Sequence, residues 1–261
     1  MEILPEILEY EIGEGAFAFS TTRRGGVSVG AYTAFNITHY CGDDCACVAR
    51  NKSLLAALLG IKEQKIVLPR QTHSTECLCV DESFFASSAD EQNELLQGVD
   101  AIITDVKGVC IGVSTADCIP ILLYDEKHSV VAAVHAGWRG TVARILEKSI
   151  TAMTIRYGTS PCDIKAVIAP GISLDAFEVG DEVYAAFSAA GFPMQQIARL
   201  YGERWHIDLW EANRLQLFSC GVAAESIAVS GICTFTNYND FFSARRLGIA
   251  SGRIFNGIML K

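Results

Sequence analysis

This 261-residue chain has no apolar run long enough to span a bilayer. Its longest such stretch, VCIGVSTADCIPILLY, is interrupted by Thr115, Asp117 and Pro120. Its opening, MEILPEILEYEIGEG, is acidic and has neither the basic start nor the cleavage site of a secretory signal. A cytoplasmic location is therefore the default expectation, with no membrane partner. Positive charge is also scarce. With 21 Lys and Arg against 30 Asp and Glu, the formal net charge is -9. Such a surface repels polyanions, so no nucleic-acid partner is expected, although a local basic pocket is compatible with that balance. The composition leaves the oligomeric state open.

The ten cysteines include no CxxC pair, which removes the zinc-ribbon pattern. In a reducing compartment most of them should be reduced core residues. Cys45/Cys47 and Cys77/Cys79 are CxC pairs, which a strand would place on one face. Packing is expected of both pairs in preference to metal binding. No GxGxxG joins a strand to a helix, and neither an internal repeat nor a low-complexity linker occurs. Half the residues are hydrophobic and a fifth are charged, enough apolar surface for a sizeable core.

Apolar patterning predicts strands over 16–20, 65–68, 75–80, 101–104, 109–114, 165–169, 227–230 and 253–260. Helical spacing predicts helices over 45–59, stopped by Gly60, and over 141–155, 181–190 and 209–220. Residues 87–97 read as a loop or short helix. Strands come in adjacent groups with helices between the groups. The expected fold is α+β, a single domain over residues 1–261 with mixed β-sheets and flanking helices.

The segment TADCIPILLYDEKHSVVAAVHAGWRG reads as a hairpin of two apolar strands, 121–124 and 129–134, joined by a polar loop at 125–128. With that loop as the turn, Cys118 stands opposite His135. Directly opposed Cβ atoms are about 4.5–5.5 Å apart, close enough to share a metal ion or a proton. A bulge near Pro120 would break this register. The plainer alternative is a buried cysteine and a hydrogen-bonded histidine. A third candidate is His73 in RQTHS, since a histidine beside Arg and Gln just beyond a strand is a poor core residue. Of the other histidines, His128 falls in the hairpin turn, and His39 and His206 lack an obvious partner.

Two imidazoles and a thiolate are a sound zinc set with one position left open, and zinc would lower the pKa of a water placed there. Asp117 is expected either to orient a ligand histidine, to act as an acid–base group, or to cap the hairpin. Arg139 lies in the turn before a helix, where it could pair with a phosphate or carboxylate. Arg245 and Arg246 follow two phenylalanines and could grip a phosphate, flank a base, or form a solvated face.

Several segments together resemble the YfiH-like family, bacterial relatives of laccase-domain multifunctional purine nucleoside enzymes. They are FSTTRRGGVSVGAYTAFN, CGDD, the Gln71–Thr72–His73 element, TADCIPILL, HAGWRG, DLWEANRLQL and FFSARRLGIASGR. The resemblance runs almost end to end, and TADC followed by HAGWRG is a specific signature. It implies an α+β domain similar to the cytotoxic necrotizing factor catalytic domain, and a metal site of His73, Cys118 and His135. Catalytic roles are expected of these three and Asp117, and substrate contacts of Gln71, Arg139, Arg245 and Arg246. The implied activity is phosphorolysis of adenosine, inosine and methylthioadenosine to free base and ribose 1-phosphate, with adenosine deamination beside it. The partners are then a purine nucleoside and phosphate, and the cofactor is zinc, with copper as the alternative.

The chain departs from the family pattern in two places. Leu174 and Asp175 stand where many relatives carry cysteines, and Leu247 stands where an aspartate often follows the arginine pair. Both changes weaken an oxidase reading that needs extra soft ligands. Five histidines are also few for multiple copper centres. The alternatives are an amidohydrolase that edits a peptidoglycan precursor, a copper-dependent polyphenol oxidase disfavoured on those grounds and, least favoured, a binding module.

Overall fold

A computed structural model describes residues 3–261 of the chain. Two mixed sheets form its centre. The six-stranded sheet runs in the order Ile227–Val229, Ile164–Ile168, Ile119–Asp125, Val130–Ala136, Val99–Thr104, Glu76–Cys79. The five-stranded sheet runs Ile7–Tyr10, Ala16–Thr21, Ile254–Leu260, Cys110–Thr115, Ile66–Val67. Parallel pairs occur only at the edges of these two sheets, where strand 227–229 pairs with 164–168, 76–79 with 99–104, and 66–67 with 110–115.

The period-two alternation of strand side chains sorts the core into layers. Ala18, Ile111 and Ile258 from one sheet meet Leu122, Val131 and Ala133 from the other. Their strand neighbours Phe19, Cys110 and Met259 face outward onto helix Cys45–Leu59 through Leu55 and Ala56. On the far side, Ile121, Leu123, Ala132 and Val134 pack under helices 145–157, 181–189 and 209–219. The two central hairpin strands are buried on both faces, which is why they read as continuous apolar runs. Each fully buried Ile, Leu or Val contributes roughly 1.5–3 kcal/mol relative to exposure.

Helix Cys45–Leu59 has the bounds its spacing predicts. Asp44 accepts from the Ala46 and Cys47 amides at its start, and Gly60 closes it in the left-handed region at φ 67°. Two expectations need correction. The hairpin register is displaced by two residues, so that His135 faces Pro120 and Tyr124 faces Val131. The Asp125 carboxylate accepts from the Lys127 and His128 amides, and Ser129 takes φ 53°. Ser129 therefore belongs to the turn and not to the strand. An even displacement keeps each residue on its expected face, so Cys118 and His135 remain diagonal neighbours.

The helix expected over 141–155 is really two, Trp138–Val142 and Ile145–Tyr157. They are divided at Arg144, which holds φ 63°, an uncommon value for a residue with a side chain. Tertiary contacts hold it there. Its guanidinium donates to the Ala190 carbonyl and Glu147 and stacks over Phe192. A three-stranded sheet, Glu178–Val179, Arg204–Ile207 and Ala198–Tyr201, and the edge strand Ile7–Tyr10 were not anticipated. These are short, partly exposed strands without a clean alternation.

Candidate metal centre

The hairpin brings Cys118, at the entrance of one central strand, beside His135, near the end of the other. His73 arrives from the loop after strand 66–67. The three ligand atoms all lie within 4.8 Å of one another, with Cys118 Sγ 3.8 Å from His73 Nε2. Their burial is graded: His135 is buried, Cys118 half-buried and His73 exposed. The cluster thus opens to solvent on the His73 side. Gly137 leaves the room it needs, since a Cβ there would lie 2.9 Å from His73 Cδ2 and 3.0 Å from Cys118 Sγ.

Asp100, buried in strand Val99–Thr104, organises both histidines. Its Oδ1 lies 2.7 Å from His135 Nδ1, leaving Nε2 as the ring nitrogen available to the cluster. The same carboxylate accepts from the amides of Thr72, His73 and Ser74 and from the Ser74 hydroxyl. Those bonds hold His73 in the left-handed region at φ 62°. Burial raises the pKa of Asp100, but His135 and the loop amides outweigh it and bring the carboxyl down to about 2. Burial likewise opposes the Cys118 thiolate, yet the His135 and His73 imidazoles win and hold the thiol below its ordinary value. For His135, burial is outweighed by the Cys118 sulfur and Asp100, and its pKa is raised.

The cluster forms one end of a cavity of about 560 Å³. Asp117, Gln71 and Arg245 line it with the three cluster residues, as do Tyr40, Phe177 and Arg253. Asp117 holds φ 88° and is buried. Its Oδ1 accepts from the Thr234 hydroxyl and its Oδ2 from the Arg245 amide. The carboxylate that orients a cluster histidine is Asp100, and Asp117 ties down the segment carrying Arg245. Gln71 pairs with the backbone of Ser114 through both ends of its amide and accepts from the Tyr40 hydroxyl. It fastens the His73 loop to strand Cys110–Thr115.

The two other arginines of interest lie outside the cavity lining. Arg139 is exposed, with its guanidinium 4.2 Å from the Trp138 ring. Arg246 stacks on Phe235 and Tyr238. His206 donates through Nδ1 to the Leu174 carbonyl, and His128 is bound to Asp125. Among the described residues, no second group of three ligating side chains forms. Cys77 and Cys79 pack against the core, and Cys45 and Cys47 open a helix.

A family described as multi-copper polyphenol oxidoreductase laccase matches residues 17–261. The chain belongs to that laccase-domain family. Among laccase-domain relatives, a purine nucleoside phosphorylase of Bacteroides thetaiotaomicron is 48% identical over 244 residues, covering 93% of this chain and 90% of the relative. A protein named adenosine deaminase RL5, from an unknown prokaryotic organism, is 46% identical over 250 residues and 95% of each chain. The crystal structure of YlmD from Geobacillus stearothermophilus superposes with a TM-score of 0.91 at 31% identity, covering 100% of both chains. These matches agree with the YfiH-like resemblance and the mixed α and β fold. No described helix is long and apolar enough to cross a membrane.

Sequence reasoning missed Asp100, Tyr40, Phe177 and Arg253, which the structure brings to the candidate site. Asp100 left a usable signal, a lone carboxylate at the head of the apolar strand VDAIIT. Phe177 and Arg253 left none, because only tertiary folding brings them to the cavity.

Proposed function

We propose that the chain is a zinc-dependent enzyme of purine nucleosides. It would cleave adenosine, inosine and methylthioadenosine with phosphate, and deaminate adenosine with water. The observation that carries this reading is the convergence of His73, Cys118 and His135 at one end of a cavity whose wall also holds Arg245 and Arg253. The names of the relatives, purine nucleoside phosphorylase and adenosine deaminase, support the substrate class.

The donor set fits zinc. Two imidazoles and one thiolate are borderline-soft ligands, and the Asp100 carboxylate behind His135 is the usual outer partner of a metal-bound histidine. A bound zinc supplies Lewis acidity and lowers the pKa of water in its open position. His73, Cys118 and His135 would hold it. Copper remains the alternative occupant, and a single three-residue group suits one ion better than a multi-copper cluster.

The chain's own residues account for substrate placement. Phe177 and Tyr40 offer aromatic walls for a flat base. Arg245 is exposed at the cavity and is the arginine of the adjacent pair that faces it, so it is the better phosphate contact. Arg245 also donates to the Glu178 carbonyl and lies over the Phe177 ring, whereas Arg246 and Arg139 stack on rings outside the lining and are positioned for support. Asp117 keeps the Arg245 backbone in register with the cluster. In phosphorolysis the bond from ribose C1′ to the base breaks and a bond from C1′ to a phosphate oxygen forms. In deamination water replaces the amino group, which leaves as ammonia.

Metal-defined protein incubated with adenosine, with and without phosphate, tests the reading by chromatography of the products. Adenine formed only with phosphate supports phosphorolysis, and inosine supports deamination. Absence of both would reject the proposal. Arg245→Ala should slow phosphorolysis by roughly tenfold or more, the loss of one charge-assisted contact of about 1.5–3 kcal/mol. Deamination uses no phosphate and should fall less, and equal losses would reject the phosphate role.

A second reading rests on one observation. Cys118, His135 and Asp100 also stand in the order nucleophile, base and orienting carboxylate. That arrangement suits a thiol-dependent amidohydrolase, including one that edits a peptidoglycan precursor. Cys118→Ser with zinc fully bound but all activity lost would favour it.

A further inference from the structure

A second cavity, of about 320 Å³, is chemically unlike the first. Ile37, Val48, Ile66, Leu68, Phe84 and Leu96 give it an apolar body. Its polar groups are the Lys52 ammonium, the His39 imidazole and three side-chain amides, and no described lining residue carries a carboxylate. Lys52 follows Val48 by one helical turn on helix Cys45–Leu59, so both project to the same side. Its ammonium is half-buried and makes no ion pair or hydrogen bond among the described residues. Glu63 acts on it only from a distance, and the Glu63 carboxylate accepts from Ser53 instead.

A half-buried cation without a partner is costly in a chain with an excess of carboxylates, so its charge points to a ligand. We infer that this cavity binds a small amphipathic carboxylate, with its apolar tail against Ile37, Val48, Ile66 and Leu68 and its head at Lys52. The tail is indicated by the apolar walls, and the single negative charge by the single lysine. Burial, Lys52 and Arg70 all push the His39 pKa below its ordinary value, so that ring acts as a neutral hydrogen-bonding group beside the lysine. Arg70 acts on His39 from outside the lining, so a dianionic phosphate would meet only one cation in the cavity wall. The two linings touch at one point, where His39 of this cavity packs edge-on against Tyr40 of the first with ring centroids 5.1 Å apart. The inference stands whatever reaction the first cavity carries out.

The test titrates hexanoate, hexanol and inorganic phosphate into the zinc-loaded 261-residue chain and follows isoleucine, leucine and valine methyl signals by NMR. Hexanoate should shift Ile37, Val48, Ile66, Leu68 and Leu96, and bind about tenfold more tightly than hexanol. Lys52→Gln should erase that tenfold difference while Lys52→Arg, which keeps the charge, retains it. Unchanged methyl signals elsewhere report that each variant is folded. Four results would overturn the inference. They are equal binding of hexanoate and hexanol, phosphate binding there as tightly as hexanoate, Lys52→Gln without effect, or shifts confined to Ile172 and Ile249 of the first cavity.

Discussion

Two thiols at the same sheet behave in opposite ways. Cys118, at the entrance of a central strand, has its pKa lowered, whereas Cys77, on the edge strand Glu76–Cys79, is pushed up to about 12. Both are half-buried, and burial disfavours the thiolate at each. The difference lies in the neighbours. Cys118 faces two imidazoles, one of them backed by Asp100, while Cys77 faces Cys79, apolar side chains and the Ser149 hydroxyl. Reactivity here comes from the partners a fold supplies and not from the depth of the sulfur.

The strongest way to break the contrast is Cys118→Ser. Serine keeps the size but gives up the soft ligand, so metal content should fall from about one per chain to near zero. The proposed purine activities should drop at least a hundredfold, with metal read by elemental analysis and activity by product formation. The folded spectrum should survive, because Cys118 sits at the strand entrance and outside the packed layers.

Asp100→Asn removes the charge behind His135 while keeping the shape. Metal affinity or activity should fall tenfold to a hundredfold, the usual cost of losing an outer carboxylate. The amide can no longer accept all the bonds from Thr72, His73 and Ser74, so the His73 loop should also lose protection in hydrogen exchange. Full metal affinity in this variant would remove Asp100 from the organising role.

Alkylation sharpens the comparison without mutation. In metal-free protein, iodoacetamide should label Cys118 ahead of Cys77, because only Cys118 has an appreciable thiolate fraction near neutral pH. The sign follows from the lowered pKa. Thiolate is present above that pKa and lost below it, so labelling should persist at pH values under the ordinary thiol range near ~8.5 and fade on further acidification. Cys77 should label only on unfolding. Peptide mapping by mass spectrometry reads both sites, and faster labelling of Cys77 would contradict the assignment.

The smallest effect is expected from Cys77→Ala. It removes packing against the helix-covered face and should cost about 1 kcal/mol, read as a small fall in melting temperature. Zinc content should not change. A loss of metal here would mean that Cys77 and Cys79 contribute to ion binding after all.

The sequence was most informative where one physical rule acted alone. Helix Cys45–Leu59 has an Asp cap, helical spacing and a glycine stop, all local, and its bounds agree with expectation. The hairpin strands were legible because both faces are buried, but their register was not, since the Asp125 side chain draws Ser129 into the turn. Face alternation survived a two-residue displacement, so Cys118 and His135 could still be brought together on paper. Nothing local divides helix 138–142 from 145–157. That break depends on Arg144 reaching Ala190 and Phe192, far along the chain.

By itself the sequence determined the apolar layers and the nearness of Cys118 to His135 through the hairpin, because these follow from periodicity and short-range connection. Only the tertiary structure decided that Asp100 organises both histidines, that Arg245 lines the cavity and Arg139 does not, and that Lys52 has no ion-pair partner among the described residues. Each of these depends on the direction of a side chain relative to a distant segment. Spacing along the chain carries no information about such directions, which packing of the sheets and helices sets.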